Sequence, residues 1–109
     1  MPMRRSIGAE KSTMSKRAQF RFRLYIAGDA LNSARALANL GTLCQTYLPD
    51  RYEIEVVDVF REPKRALDDA IFMTPTLVKL APFPAKRIVG TLSQIPTVLQ
   101  AFGLAAVAA

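Results

Sequence analysis

Histidine is absent from the 109 residues, and cysteine occurs once, as Cys44. Without histidine there is no Ser-His-Asp or Cys-His machinery. One thiol excludes an internal disulfide, a Cys-x-x-Cys redox pair and a cysteine-rich zinc site, and it fits a reducing, cytoplasmic compartment. No apolar run approaches the roughly 20 residues of a membrane span. The N-terminus has basic residues but no apolar core segment, which argues against a secretory signal. An organelle transit peptide stays open, because residues 1–18 carry Arg, Lys and Ser with a single acid, Glu10.

What is present is ordinary for one globular domain: half of the residues are apolar, which is too many for a disordered chain. The net charge of +6 is unevenly placed. Residues 1–23 hold seven basic residues and one acid, whereas residues 24–109 hold eight of each and are neutral. The basic character therefore belongs to the leader and the first strand. A short basic end of this kind is more often solvated than a nucleic-acid arm. Nucleic-acid binding calls for basic and aromatic side chains on one face. Phe20 and Phe22 alternate with Arg21 and Arg23 and point the other way. The expected partners include neither nucleic acid nor membrane.

Residues 1–18 show no period and read as a disordered basic tail, leaving residues 19–109 as the domain. Gln19–Ala27 alternates, with Phe20, Phe22, Leu24 and Ile26 on one buried face and Arg21, Arg23 and Tyr25 opposite. Gly28 breaks this strand, and Asp29 or Asn32 is placed to cap a helix. Apolar residues Leu31, Ala34, Leu37, Ala38, Leu40, Cys44, Tyr47 and Leu48 predict its buried stripe, and Pro49 ends it. Cys44 reads as a small core residue rather than a reactive thiol. Tyr52–Val59 alternates again, as a strand that starts at an edge and ends covered. Pro63 opens a short helix that runs toward Ile71.

Strand Thr76–Leu80 follows Thr74-Pro75, and a turn with Pro82 and Pro84 leads to strand Lys86–Val89. Gly90 then precedes a last helix with Ser93 as cap, Pro96 in its first turn and Ile95, Val98, Leu99, Phe102 and Leu104 as its stripe. The final Ala-Ala-Val-Ala-Ala favours helix and would fray. The order β-α-β-α-β-β-α is an α/β, thioredoxin-like succession, in which Thr74-Pro75 falls where that fold carries a cis-proline loop. A thioredoxin-type enzyme needs a cysteine at the start of its first helix, where amides and dipole lower its pKa. Here that stretch is Gly28–Ser33, with no thiol.

Several segments in succession (LYIAGD and NSARAL, EVVDVFREP, then MTPTLVKLAPFPAKRIVGTLS) resemble the KaiB-like family of circadian clock proteins over roughly residues 20–104. The resemblance implies a non-catalytic adaptor with no cofactor and no metal. Such an adaptor binds a KaiC-like ring ATPase, with a KaiA-like protein or a histidine kinase as further partners. It also implies two forms: a thioredoxin-like, binding-competent monomer and a rewired oligomer, dimer or tetramer, in which the C-terminal half changes secondary structure. Family contacts to the ATPase match Arg35, Arg61, Lys86 and Arg87, and Thr74-Pro75 matches the structural loop.

Two positions depart from the family pattern. Ala70 stands where related chains often carry a basic residue, and Thr91, after Gly90 in the fold-switch region, replaces a usual acid. In the rewired form the segment around Pro96 would be extended, where proline loses a ladder hydrogen bond, so the expected form is the thioredoxin-like one. Two other readings remain: a thioredoxin-fold sensor module of a two-component pathway, and a glutathione-binding enzyme using Thr74-Pro75 with Ser33 as thiol activator.

Overall fold

The computed structural model describes residues 18–104. The tail expected over residues 1–18 therefore lies, except for Ala18, outside the described residues, as does the closing Ala-Ala-Val-Ala-Ala. The elements are β1 (Phe20–Ile26), α1 (Leu31–Tyr47), β2 (Tyr52–Asp58), α2 (Pro63–Asp68), β3 (Thr76–Ala81), β4 (Lys86–Val89) and α3 (Ile95–Phe102). The sheet order is β2-β1-β3-β4. β1 runs parallel to β2 and antiparallel to β3, and β3 pairs antiparallel with β4. This is the α/β, thioredoxin-like arrangement that the element order predicted. Thr74-Pro75 is cis, as its place in the pattern indicated, and so are Ala81-Pro82 and Phe83-Pro84.

β1 is central; one face is covered along its length and the other around Tyr25. Phe20, Phe22 and Leu24 join Leu77 of β3 under α1 and α3, which contribute Ala36, Leu40, Leu43, Cys44, Val98, Leu99 and Phe102. The rings of Phe22 and Phe102 lie 4.7 Å apart and tilted, which locks α3 onto the strand. On the other face Tyr25 is fully buried with Val57, Val78, Ala66 and Ile71 beneath α2. The face opposite the strongly buried one is thus covered in part: α2 closes over Tyr25, while Arg21 on the same face stays exposed. Cys44 is buried in the main core, and desolvation pushes its thiol up to about 12, so it stays protonated and inert.

The stripe of α1 is rotated from the one the apolar residues predicted. Ser33, Ala36, Leu40, Leu43 and Cys44 face inward, while Leu31, Leu37 and Tyr47 are exposed and so are Ala34 and Ala38. Ser33 can be buried because its hydroxyl accepts a hydrogen bond from the Ala27 N–H at 3.0 Å, and Ala36 is small enough for close approach to the sheet. Neither Asp29 nor Asn32 caps α1, whose N-cap is Ala30, and Gln94 rather than Ser93 is the N-cap of α3. Pro96 does lie in the first turn of α3. Gly103, at φ 87°, ends that helix with the Leu104 N–H donating to the Leu99 carbonyl.

α2 is shorter than predicted and ends at Asp68. Its end is held three ways. The Ile71 N–H donates back to the Ala66 carbonyl, with Ala70 at φ 55°. Arg87 of β4 donates to the carbonyls of Asp69 and, at 3.2 Å, Ala70. The Asp69 carboxylate accepts from the Tyr25 hydroxyl and, at 3.1 Å, from Arg23. The Tyr25 hydroxyl first, and then the Arg23 guanidinium, hold the Asp69 carboxyl below its ordinary range against the opposing effect of burial. Arg65 first, and then Arg23, do the same for Glu55.

Three outcomes are expected. Ala70→Gly relieves a left-handed alanine and raises unfolding stability by about 0.5–1 kcal/mol in urea titrations. Carboxylates with depressed folded pKa values stabilise fully above their unfolded values of about 4, and that stabilisation is lost as pH falls through the folded values. With no histidine to titrate, the urea midpoint stays level between about pH 5.5 and 8 and drops below about pH 4. Asp69→Asn lowers the neutral midpoint and shrinks that drop; a midpoint that falls between pH 8 and 5.5 contradicts this account.

Candidate functional site

β1 and β2 run parallel, so their C-terminal ends and the loops that follow meet at one end of the sheet. Asp58, the last residue of β2, organises this end. Its Oδ1 accepts from the Gly28 N–H at 3.1 Å and from the Phe60 N–H at 2.9 Å, tying the loop after β1 to the loop after β2. Gly28 sits at φ 55°, and a Cβ there would stand 3.5 Å from the Phe60 ring. The turn therefore favours glycine on backbone grounds, and it brings the loop against an aromatic face.

An apolar surface gathers at this end. Phe60 is 75% exposed, Phe72 85%, Met73 62% and Leu31 64%. Phe60, Ile71, Phe72, Met73 and Thr74 line a shallow groove beside the Thr74-Pro75 loop. The Thr76 hydroxyl, donating to the Met73 carbonyl at 2.6 Å, holds that loop to the start of β3. Large apolar side chains concentrated on loops at one end mark a contact surface more strongly than scattered ones do. Sequence reading missed this surface. Its signal was the run Phe72-Met73 directly before Thr74-Pro75, together with Phe60 directly after a strand.

The four basic residues singled out from the sequence do not form one patch. Arg61 follows Phe60, extends into solvent with its side chain 86% exposed, and pairs weakly with Asp58 at 3.9 Å. Arg35 is exposed in the first half of α1, near the same end of the sheet. Lys86 lies at the opposite end, in register with Lys79. Arg87 is in register with Val78 and spends its guanidinium on the end of α2. Adjacent residues of β4 thus serve opposite faces of the sheet, as the alternation of a strand requires.

Just after β4, Gly90, at φ 117°, donates its N–H to the Pro75 carbonyl at 2.9 Å. The Thr91 carbonyl accepts from Asn39 of α1 at 2.7 Å. Where a thioredoxin carries its nucleophile this chain has no thiol, and Ser33 is 2% exposed with its hydroxyl turned to Ala27.

Residues 23–103 match the family model of the KaiB domain. The chain belongs to the KaiB family. It is 44% identical over 77 residues to circadian clock protein KaiB3 of Synechocystis, covering 71% of this chain and 76% of that one. It is 43% identical over 86 residues to circadian clock oscillator protein KaiB of Prochlorococcus marinus, covering 79% and 74%. The corresponding Synechococcus elongatus protein is 41% identical, covering 79% and 84%. Among solved structures, the N-terminal domain of Synechococcus elongatus SasA superposes with a TM-score of 0.65 at 16% identity, covering 79% of this chain and 85% of that one. Mitochondrial thioredoxin 3 of Saccharomyces cerevisiae gives 0.61 at 23%, covering 82% and 79%. At these identities the two likenesses show the fold.

Asp58→Ala removes the acceptor that joins the two loops. It is expected to cost about 1–3 kcal/mol in urea unfolding and to speed amide exchange at Gly28 and Phe60 more than in the core of β1. Equal exchange at all three sites would mean that the carboxylate does not hold this end.

Proposed function

We propose that the chain is a non-catalytic adaptor of the KaiB type that binds a KaiC-like ring ATPase and modulates clock or timer signalling. Membership of a family whose curated relatives are circadian clock proteins supports the reading. The observation that carries it is the exposed apolar end of the sheet, Phe60, Phe72, Met73 and Leu31, with Arg61 and Arg35 beside it. This surface offers an apolar centre and a charged rim, the usual anatomy of a protein contact. Arg61 is free to reach a partner carboxylate because its pairing with Asp58 is long and exposed. Lys86 belongs to a second contact region at the far end. Arg87, placed among the partner contacts by the resemblance, acts in this form as a clamp on α2.

Two features count against the enzymatic alternative: the missing thiol of the Gly28–Ser33 stretch and the inward-facing Ser33 hydroxyl. A sensor module of a two-component pathway has the same fold, and it differs in remaining a monomer with no second form. The arrangement described is the one the family resemblance links to binding, and Gly90 and Thr91 lie where the rewiring would begin.

The experiment is size-exclusion chromatography of the chain with a KaiC-type ring in ATP and in ADP. Co-elution in at least one nucleotide state is expected. Phe60→Ser and Arg61→Glu should each weaken the complex by about tenfold, as removal of a central aromatic or reversal of a rim charge does. No complex in either state, or variants that bind as the parent does, would sink the assignment to this surface.

A further inference from the structure

β3 carries a lysine on its covered face. Among the described residues Lys79 is the only charged side chain that is buried, at 4% exposure. It alternates with Leu77, so it points to the α1 and α3 side of the sheet, in register with Phe22 of β1 and Lys86 of β4. Its neighbours on that face, Phe22, Leu77 and Ile88, belong to the main apolar core or pack against it. Register partners on adjacent strands stand side by side, and like charges there are destabilising. The cross-strand pair of Lys79 and Lys86 is therefore a standing cost to the hairpin unless something offsets it.

Among the described residues no acid offsets it. Glu53 and Glu55 of β2 pair with Arg21 and Arg23 on the opposite face of the sheet. α1 and α3, which cover the Lys79 face, carry one charged residue between them, and that residue is a cation, Arg35. Asp50 belongs to the loop before β2, two strands away from β3. Asp29 and Asp58 lie at the far end of the sheet, and Glu62, Asp68 and Asp69 belong to α2 and its flanks on the other face. Burial first, and the Lys86 charge second, push the Lys79 ammonium below the ordinary range of a lysine. Desolvation beside a second cation is the arrangement that turns a lysine into a nucleophile.

A small electrophile that leaves a negative charge behind would resolve this arrangement. Lys79 meets solvent through a narrow opening, which favours a triatomic molecule over a bulky acyl donor. We propose that the Lys79 amine takes up carbon dioxide as a carbamate, with the Lys86 ammonium as its counterion across the hairpin. The Lys79 ammonium first gives a proton to water. The freed nitrogen lone pair then forms the C–N bond, one C=O π pair moves onto oxygen, and the nitrogen releases a second proton to water. The side chain passes from cation to anion, and no oxidant or reductant takes part. A repulsive cross-strand pair becomes an attractive one, so carbon dioxide strengthens the pairing of β3 with β4.

The test places the full chain in isotopically labelled bicarbonate at constant pH and ionic strength. Carbon NMR reads the carbamate, and trialkyloxonium trapping followed by peptide mass spectrometry locates it. Lys11, Lys16, Lys64, Lys86 and the α-amino group are the competing amines. A trapped label on Lys79 alone is expected, lost in Lys79→Arg and in Lys79→Met. Lys86→Met should lower the labelled fraction about fivefold, the loss of one cross-strand counterion. Bicarbonate should raise the urea midpoint of the parent and leave that of Lys79→Met unchanged. Four results would overturn the proposal: no trapped label on Lys79, a label spread evenly over the competing amines, a midpoint rise without any trapped label (bound bicarbonate only), or a Lys86→Met variant labelled like the parent.

Discussion

β1 is buried along one face and, at Tyr25, on the other, and that constraint organises the rest. Where a helix covers the strand, a polar group cannot be left to water. The Tyr25 hydroxyl needs a partner inside, and Asp69 supplies it while also taking Arg23. Asp69 lies just past the end of α2, so satisfying Tyr25 places that helix on the sheet. Arg87 then completes the junction by holding the carbonyls that α2 leaves open. A salt-bridged ladder continues along β2, where Glu55 meets Arg23 at 2.8 Å and Arg65 of α2 at 2.8 Å. The helix is short and has little apolar surface of its own, so this polar junction accounts for much of its position.

The same constraint separates structural from available charge. Arg23, Arg65 and Arg87 are committed to α2 and its surroundings, and Arg21 to Glu53 at 3.1 Å. Arg61 is nearly unencumbered, and among the described residues Arg35 and Lys86 have no carboxylate partner. Family resemblance treats Arg35, Arg61, Lys86 and Arg87 alike; packing divides them. Two lie near the apolar end formed by the loops after β1 and β2, one stands at the hairpin end and one is an internal clamp. The domain thus presents two different ends. The upper one is made of loops tied by Asp58, and the lower one is the proline-containing turn between β3 and β4.

Much of the fold was legible in the chain. The alternation of Phe20, Phe22 and Leu24, the helical spacing before Pro49, and Thr74-Pro75 before a strand each have a local cause, and each element formed where that cause operates. The absence of a cysteine at the start of α1 was legible outright. What was not legible were the features that depend on a neighbour. The stripe of α1 was misread because Leu31 and Leu37 are as apolar as Leu40, and only the position of the sheet decides which of them is covered. Ser33 was invisible as a core residue, since its burial depends on the Ala27 N–H. The caps at Asp29 or Asn32 and at Ser93 failed for a related reason: each side chain has the right chemistry, but the loop geometry sets the boundary elsewhere.

By itself, then, the sequence determined the number and order of the elements, the family, the concentration of net positive charge in residues 1–23, and the absence of histidine and of a cysteine at the start of α1. These are properties of spacing and composition, which act within a few residues. Only the tertiary structure decided that Tyr25, on the second face of β1, is buried, that Arg87 serves α2, and that Phe60, Phe72 and Met73 come together at one end while Phe83 stands at the other. Those outcomes depend on residues far apart in the chain competing for the same partners and the same cover, and that competition is resolved only when the sheet closes.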